Sequence, residues 1–172
     1  KLTTASLLLR LHDPALTNVV EMPFDRIMQA VADGTVAAGL IIHESRFTYP
    51  RYGLEKLLDL GEWWEQHSGL PIPLGGIIGK RSLGTGTLLM VEEAIRESVR
   101  YARAHPAEAL EYGKRHSQEM DESVMLQHIG LYVNDRSLEL GIEGTAAVRR
   151  LFAEAEQRTI FPTSDLPLLA GE

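Results

Sequence analysis

The sequence predicts an α/β fold, and three observations predict it. Between Asn18 and Ile42 an apolar segment, an amphipathic helix and a second apolar segment follow within about 25 residues, the compact crossover of a parallel sheet covered by helices. Leu74 to Lys80 (LGGIIGK) reads as a further, glycine-rich strand. From Gly84 onward the pattern changes to helical stripes alone. The expected organisation is an α/β lobe over 1–83, a helical segment over 84–160 and an irregular tail over 161–172.

Thr3 and Thr4 are good N-cap residues, and Ala5, Leu8, Leu9 and Leu11 follow at helical spacing before Asp13-Pro14 ends the helix. Asn18 to Met22 reads as a short strand stopped by Pro23. Phe24 to Ala32 places Phe24, Ile27, Met28 and Val31 on one face, and Asp33-Gly34 terminates it. Val36 to Ile42 is the next expected strand. Leu54 to Leu60 fits strand or helix and is read as strand, with Gly61 opening a short helix over Glu62 to Gln66. Pro71 and Pro73 make the following connection extended, because each removes a donor and restricts its predecessor. Helices are then expected over Thr87 to Ala104, from Pro106 to about His116, from an Asp121 cap to about Val133, and over Glu143 to Gln157.

Composition removes several function classes. The chain has 172 residues, 44% hydrophobic and 24% charged, enough for one good-sized domain with a real core. Its formal charge is -7, with 24 acidic against 17 basic residues and no block of like charge, so polyanionic partners such as nucleic acid are not expected. With no cysteine, thiolate metal sites and cysteine nucleophiles are excluded; this suits a reducing cytosol, and a cytoplasmic location is the expectation. No apolar run approaches the roughly 18 residues that span a bilayer. The chain opens at Lys1 and shows no signal peptide, which reads as the interior of a longer protein.

Gly39 to Gly53 (GLIIHESRFTYPRYG) holds the leading candidate site. An apolar run ends abruptly in His43, and ligands of open α/β sheets bind beyond the carboxyl ends of their strands. Imidazole moves protons near neutral pH, and Ser45, Arg46, Tyr49 and Tyr52 are suited to orienting or walling an oxygen-rich aromatic ligand. The alternative is a strand-end histidine bonded to nearby backbone. Thr3 and Thr4, at a helix N-terminus, are either an anion site or simple caps. No metal is expected: the position four residues after His43 is Phe47, and His12, His67, His105, His116 and His128 fall on helix ends or faces, where solvated or capping roles fit. Gly79-Lys80 is followed by Arg81, so a phosphate loop fails, and Gly84-Thr85-Gly86 lacks the third glycine of a dinucleotide fingerprint. Trp63 and Trp64 read as packing, one facing the core and one partly exposed.

Four segments then carry a resemblance: DRIM at 25–28, AGLIIHESRFTY at 38–49, DLGEWW at 59–64 and GLPIPLGG at 69–76, with Ala104-His105-Pro106 and Tyr132-Val133-Asn134 following in order. Together they resemble the 1,4-dihydroxy-6-naphthoate synthases of the futalosine route to menaquinone. The resemblance implies a type II periplasmic-binding-protein-like fold of two α/β lobes with the ligand between them. It also implies a lyase reaction on cyclic dehypoxanthine futalosine, with no cofactor. It makes His43 the general base and Thr4 a ligand contact, and on it Thr3, Thr4, Glu44, Ser45, Arg46 and Tyr49 are the expected substrate-binding set. The family carries, before the Thr-Thr segment, a stretch forming most of the first lobe. This chain is accordingly expected to lack one wall of the cleft, to need that missing N-terminal lobe as its partner, and to be inactive alone. The rival readings are a solute-binding protein of the same fold and a related menaquinone-pathway dehydratase.

Overall fold

The computed structural model describes residues 2–43, 45–117 and 121–170. The first helix, α1 (Thr4–His12), starts where Thr3 Oγ1 accepts the Ser6 N–H at 3.1 Å, and it buries Leu8 and Leu11. Helix α2 (Phe24–Ala32) follows Pro23 and ends at Asp33, whose carboxylate accepts both the N–H and the hydroxyl of Thr35 in the turn through Gly34. A single helical turn, α3 (Ser45–Thr48), runs into a 3₁₀ turn over Tyr49–Tyr52 that closes at Gly53 in the left-handed region (φ 69°). Helix α4 (Leu60–Ser68) is capped by Asp59, which accepts the N–H groups of Gly61 and Glu62 at 2.9 and 3.3 Å.

The remaining helices are α5 (Thr85–Ala104), α6 (Pro106–His116), α7 (Glu122–Tyr132), α8 (Asp135–Leu138) and α9 (Gly141–Gln157). Pro106 sits in the first turn of α6, where its missing donor costs nothing, and Asp121 caps α7 by accepting from Ser123 and Val124. Arg96 donates to the Leu138 carbonyl at 2.9 Å and Arg103 pairs with Asp135 at 2.8 Å, fastening α8 to α5.

The core forms where α1, α4 and α9 meet. Leu8, Leu11, Trp64 and Leu151 are buried together, with Leu7, Leu60, Trp63, Ile72 and Ile160 packed around them. Trp64 is fully enclosed, and its indole N–H donates to the Pro71 carbonyl at 3.3 Å, as a buried tryptophan requires. Trp63 is half-buried and stacks on His67, so the expected division of labour between the two tryptophans holds.

The expected strands do not form. Among the described residues 18–22, 36–42, 54–59 and 71–80 are irregular and no β-strand occurs, so the described architecture is helical and the crossover sheet is absent from it. A strand exists only where a second chain segment completes its ladder, and an apolar run alone does not supply one. Pro71 and Pro73 additionally lack the donors a ladder needs. The apolar side chains of these segments are consequently uncovered: Leu57 is 82% and Ile78 95% exposed. Leu60 belongs to α4 rather than to a strand, because Asp59 captures the first free N–H groups of the helix. No helix among the described residues is long and apolar enough to cross a membrane.

One polar group lies inside this packing. Glu154 of α9 is 8% exposed and accepts from His67 Nε2 of α4 at 3.0 Å and from Arg150 Nε at 2.7 Å. Burial raises its pKa, but the hydrogen bonds and charges of Arg150 and His67 outweigh that and hold the carboxyl below its ordinary value. A carboxyl depressed on folding contributes stability above its unfolded pKa and loses it as pH falls through the folded value. Glu154→Gln is expected to cost about 1.5 to 3 kcal/mol at pH 7, the range for hydrogen bonds to charged groups. In urea denaturation the gap from the parent protein should narrow progressively as pH falls below the ordinary glutamate range, about 4.3; a gap that stays constant down to the acid unfolding of the parent would contradict the assignment.

Candidate functional site

The site is built on a close approach. A Cβ on Gly39 would fall inside van der Waals contact with Ile27 Cγ2 and 3.0 Å from Val31 Cγ2, so glycine lets the chain at residue 39 lie directly on α2. This apolar support carries the chain to His43, which has φ 54°, in the left-handed region that non-glycine residues rarely occupy. Holding a side-chain-bearing residue there costs of order 1 kcal/mol or more, and such positions cluster at functional sites. The Arg46 N–H donates to the His43 carbonyl at 3.3 Å as α3 begins.

The His43 side chain is exposed at the tip of this turn. Its ring lies 5.5 Å from that of Phe24 at the start of α2 and 6.1 Å from that of His128 on α7. Arg46 donates from Nη2 to Asp59 Oδ2 at 2.9 Å, while the other oxygen of Asp59 caps α4. One carboxylate thus fixes both the guanidinium and the helix behind it, and the pair leaves Arg46 with unspent donors for an anionic ligand. The Arg46 guanidinium also sits 5.8 Å from the Phe47 ring centroid. Tyr49 is half-buried in the 3₁₀ turn, and Arg51 in the same turn reaches Asp121 at the cap of α7, 3.0 Å away.

The structure gathers some expected site residues and separates others. His43, Arg46 and Tyr49 share one surface loop. Ser45 is buried at the start of α3, facing away from solvent, so a direct role in orienting a ligand requires the loop to open. Glu44 lies outside the described residues. Thr3 spends its side chain on the Ser6 N–H, and Thr4 donates to the Leu74 carbonyl at 3.2 Å, joining α1 to the 71–80 segment. The Thr3 bond supplies the capping role and leaves its O–H free to donate, whereas Thr4 spends its O–H on Leu74 and retains acceptor lone pairs.

Sequence reasoning missed Asp59, Phe24 and His128. Asp59 had a readable signal, since Asp59-Leu60-Gly61-Glu62 is an acidic cap with glutamate three residues on. Phe24 and His128 had none, because their approach to His43 is purely tertiary.

Comparison with known proteins shows the family. The family model described as "Menaquinone biosynthesis" matches residues 1–157. The chain belongs to the menaquinone-biosynthesis family. It is 54% identical over 166 residues to the 1,4-dihydroxy-6-naphthoate synthase of Thermus thermophilus, covering 96% of this chain and 61% of that protein. It is 53% identical over 144 residues to the enzyme of the same name from Streptomyces coelicolor, covering 84% of this chain and 51% of that protein. A crystal structure of an Archaeoglobus fulgidus protein matches with a TM-score of 0.86 at 40% identity, over 92% of this chain and 60% of that one. The chain therefore spans about three fifths or less of the length of these relatives.

Proposed function

We propose that this chain carries the base-bearing portion of a 1,4-dihydroxy-6-naphthoate synthase, a lyase that converts cyclic dehypoxanthine futalosine to 1,4-dihydroxy-6-naphthoate in menaquinone biosynthesis. The observation that carries the reading is His43: an exposed imidazole at a left-handed backbone position, delivered on an apolar support and followed within three residues by a carboxylate-anchored arginine. High identity over nearly the whole chain to two proteins bearing that name supports it.

In this reading His43 removes a proton from a carbon next to a carbonyl. The electron pair enters the forming aromatic ring as the C–C bond to the sugar remnant breaks, and the proton on His43 passes to the departing fragment. Arg46, with Tyr49 beside it, holds an oxygen-rich part of the substrate, and Thr3, Thr4, Glu44 and Ser45 complete the proposed binding set, Ser45 once the loop opens and Thr4 through its acceptor lone pairs. General-base catalysis contributes about 10²- to 10⁴-fold, and positioning in a closed cleft much of the rest.

We infer further that the full-length enzyme has the two-lobed, type II periplasmic-binding-protein-like fold. The exposed apolar side chains of Val20, Leu57 and Ile78 are what strand segments look like before a sheet partner covers them. The first lobe would face His43 and supply the second wall of the cleft. The deciding experiment incubates the full-length protein with cyclic dehypoxanthine futalosine and follows both species chromatographically. Stoichiometric appearance of 1,4-dihydroxy-6-naphthoate is expected; bound substrate recovered unchanged would replace the lyase by a solute-binding protein.

A further inference from the structure

His128 enters the chain as a helix-face histidine with no local feature to distinguish it. It stands four residues before Tyr132 on α7, ring centroids 4.4 Å apart. That pairing is ordinary here, because Tyr101 with His105 and Tyr112 with His116 repeat it at the same spacing, the first at the cap that ends α5 and the second on α6. What sets His128 apart is its second neighbour. Its ring lies 6.1 Å from that of His43, 85 residues earlier, with 37° between the planes. Among the described residues, the ring partners of His105 and His116 are the tyrosines four positions before them, Tyr101 and Tyr112.

A second contact brings the same two pieces of chain together. Arg51, at the far end of the His43 loop, pairs with Asp121 at the cap of α7. The loop is thus held against α7 at two places, by an ion pair at the helix start and by an imidazole half-buried near its end. Phe24 packs on the same His43 ring at 5.5 Å with planes 60° apart, and both separations are within the range of interacting ring pairs. An exposed imidazole on a strained backbone has many rotamers open to it. A ring from α2 and a ring from α7 reduce that number, and Tyr132 in turn limits the motion of His128.

We propose that His128 is a positioning residue for His43, holding the imidazole by ring packing, jointly with Phe24, in the orientation in which it meets the substrate. The proposal rests on the reading of His43 as the base. Its force is orientational: catalytic geometry off by about 1 Å can cost up to 10²-fold in rate, whereas substrate affinity set by other contacts is unaffected.

The test uses the full-length protein and the variants His128→Ala, His128→Phe and His43→Ala. His128→Ala is expected to lower kcat about tenfold with KM held within about twofold. It should also move the imidazole proton resonance of His43, assigned by its disappearance in His43→Ala, because a neighbouring ring current is gone. His128→Phe retains a ring and is expected to keep kcat within about threefold of the parent. Unchanged kcat in His128→Ala, an unmoved His43 resonance, or His128→Phe falling as far as His128→Ala would each overturn the proposal. Full turnover by His43→Ala would overturn the base reading, and the proposal with it; loss of turnover there combined with a silent His128→Ala overturns the positioning role alone.

Discussion

Turnover of the full-length protein is expected to fall by about 10²- to 10⁴-fold in His43→Ala, the range a positioned general base contributes. The fall should appear in kcat, with KM changed little, because on the proposed reading the proton is taken only in the transition state while ground-state binding rests on Arg46 and the loop. The folded structure has little to lose from the change. His43 is exposed, and alanine is only somewhat less tolerant of φ 54° than histidine, which is among the side chains enriched in the left-handed region. His43→Asn separates the two roles of the position more sharply, since asparagine visits the left-handed region more readily and keeps a polar side chain without a usable base. Both variants should therefore be equally slow, with His43→Asn at least as stable as the parent in thermal denaturation and His43→Ala slightly less stable. Either one turning over within about threefold of the parent would remove His43 from the mechanism.

The parts of this molecule that could be read from sequence are those set by neighbours in the chain. Helix α2 matches its expected span, and α1, α6 and α7 match theirs to within about a residue, because Thr3, Pro106, Asp121 and the Asp33-Gly34 stop act on atoms two to four residues away. The single turns α3 and α8 went unseen, being too short to show a period. Residues 18–22, 36–42 and 74–80 have strand composition, but a ladder depends on a partner that no local pattern reveals. Within the candidate site, His43, Arg46 and Tyr49 were legible because they are contiguous. The pairing of Arg46 with Asp59 and the rings flanking His43 were not, since they bring together residues 13 to 85 positions apart. Thr3 and Thr4 illustrate the opposite case. The motif was legible, and so were both of its possible uses, yet only the surrounding structure shows their hydrogen bonds going to Ser6 and Leu74.

Trp64→Ala is the substitution expected to cost the most stability. The side chain is fully enclosed among Leu8 and Leu11 of α1 and Leu151 of α9, so removing it leaves a cavity at the only place where these three helices share a buried cluster among the described residues. Truncations of this kind cost about 3 to 5 kcal/mol, and they also strand the Pro71 carbonyl that the indole N–H satisfies. For a chain of this size that corresponds to a melting temperature lower by roughly 6 to 20 °C. Trp64→Phe keeps a ring in the cluster but not the donor, and should fall between. Trp63→Ala, at a half-buried position, should cost much less, and the order of the three variants in denaturant titration is the check. A loss below about 1 kcal/mol in Trp64→Ala would mean that the three helices are held by something other than this cluster. The consequence reaches the site through α4 itself. Trp64 anchors the same helix whose cap, Asp59, grips Arg46, so a loosened α4 releases the guanidinium from its fixed position. Trp64→Ala should therefore weaken substrate binding below its melting transition, with KM rising more than kcat falls, the opposite pattern to His43→Ala.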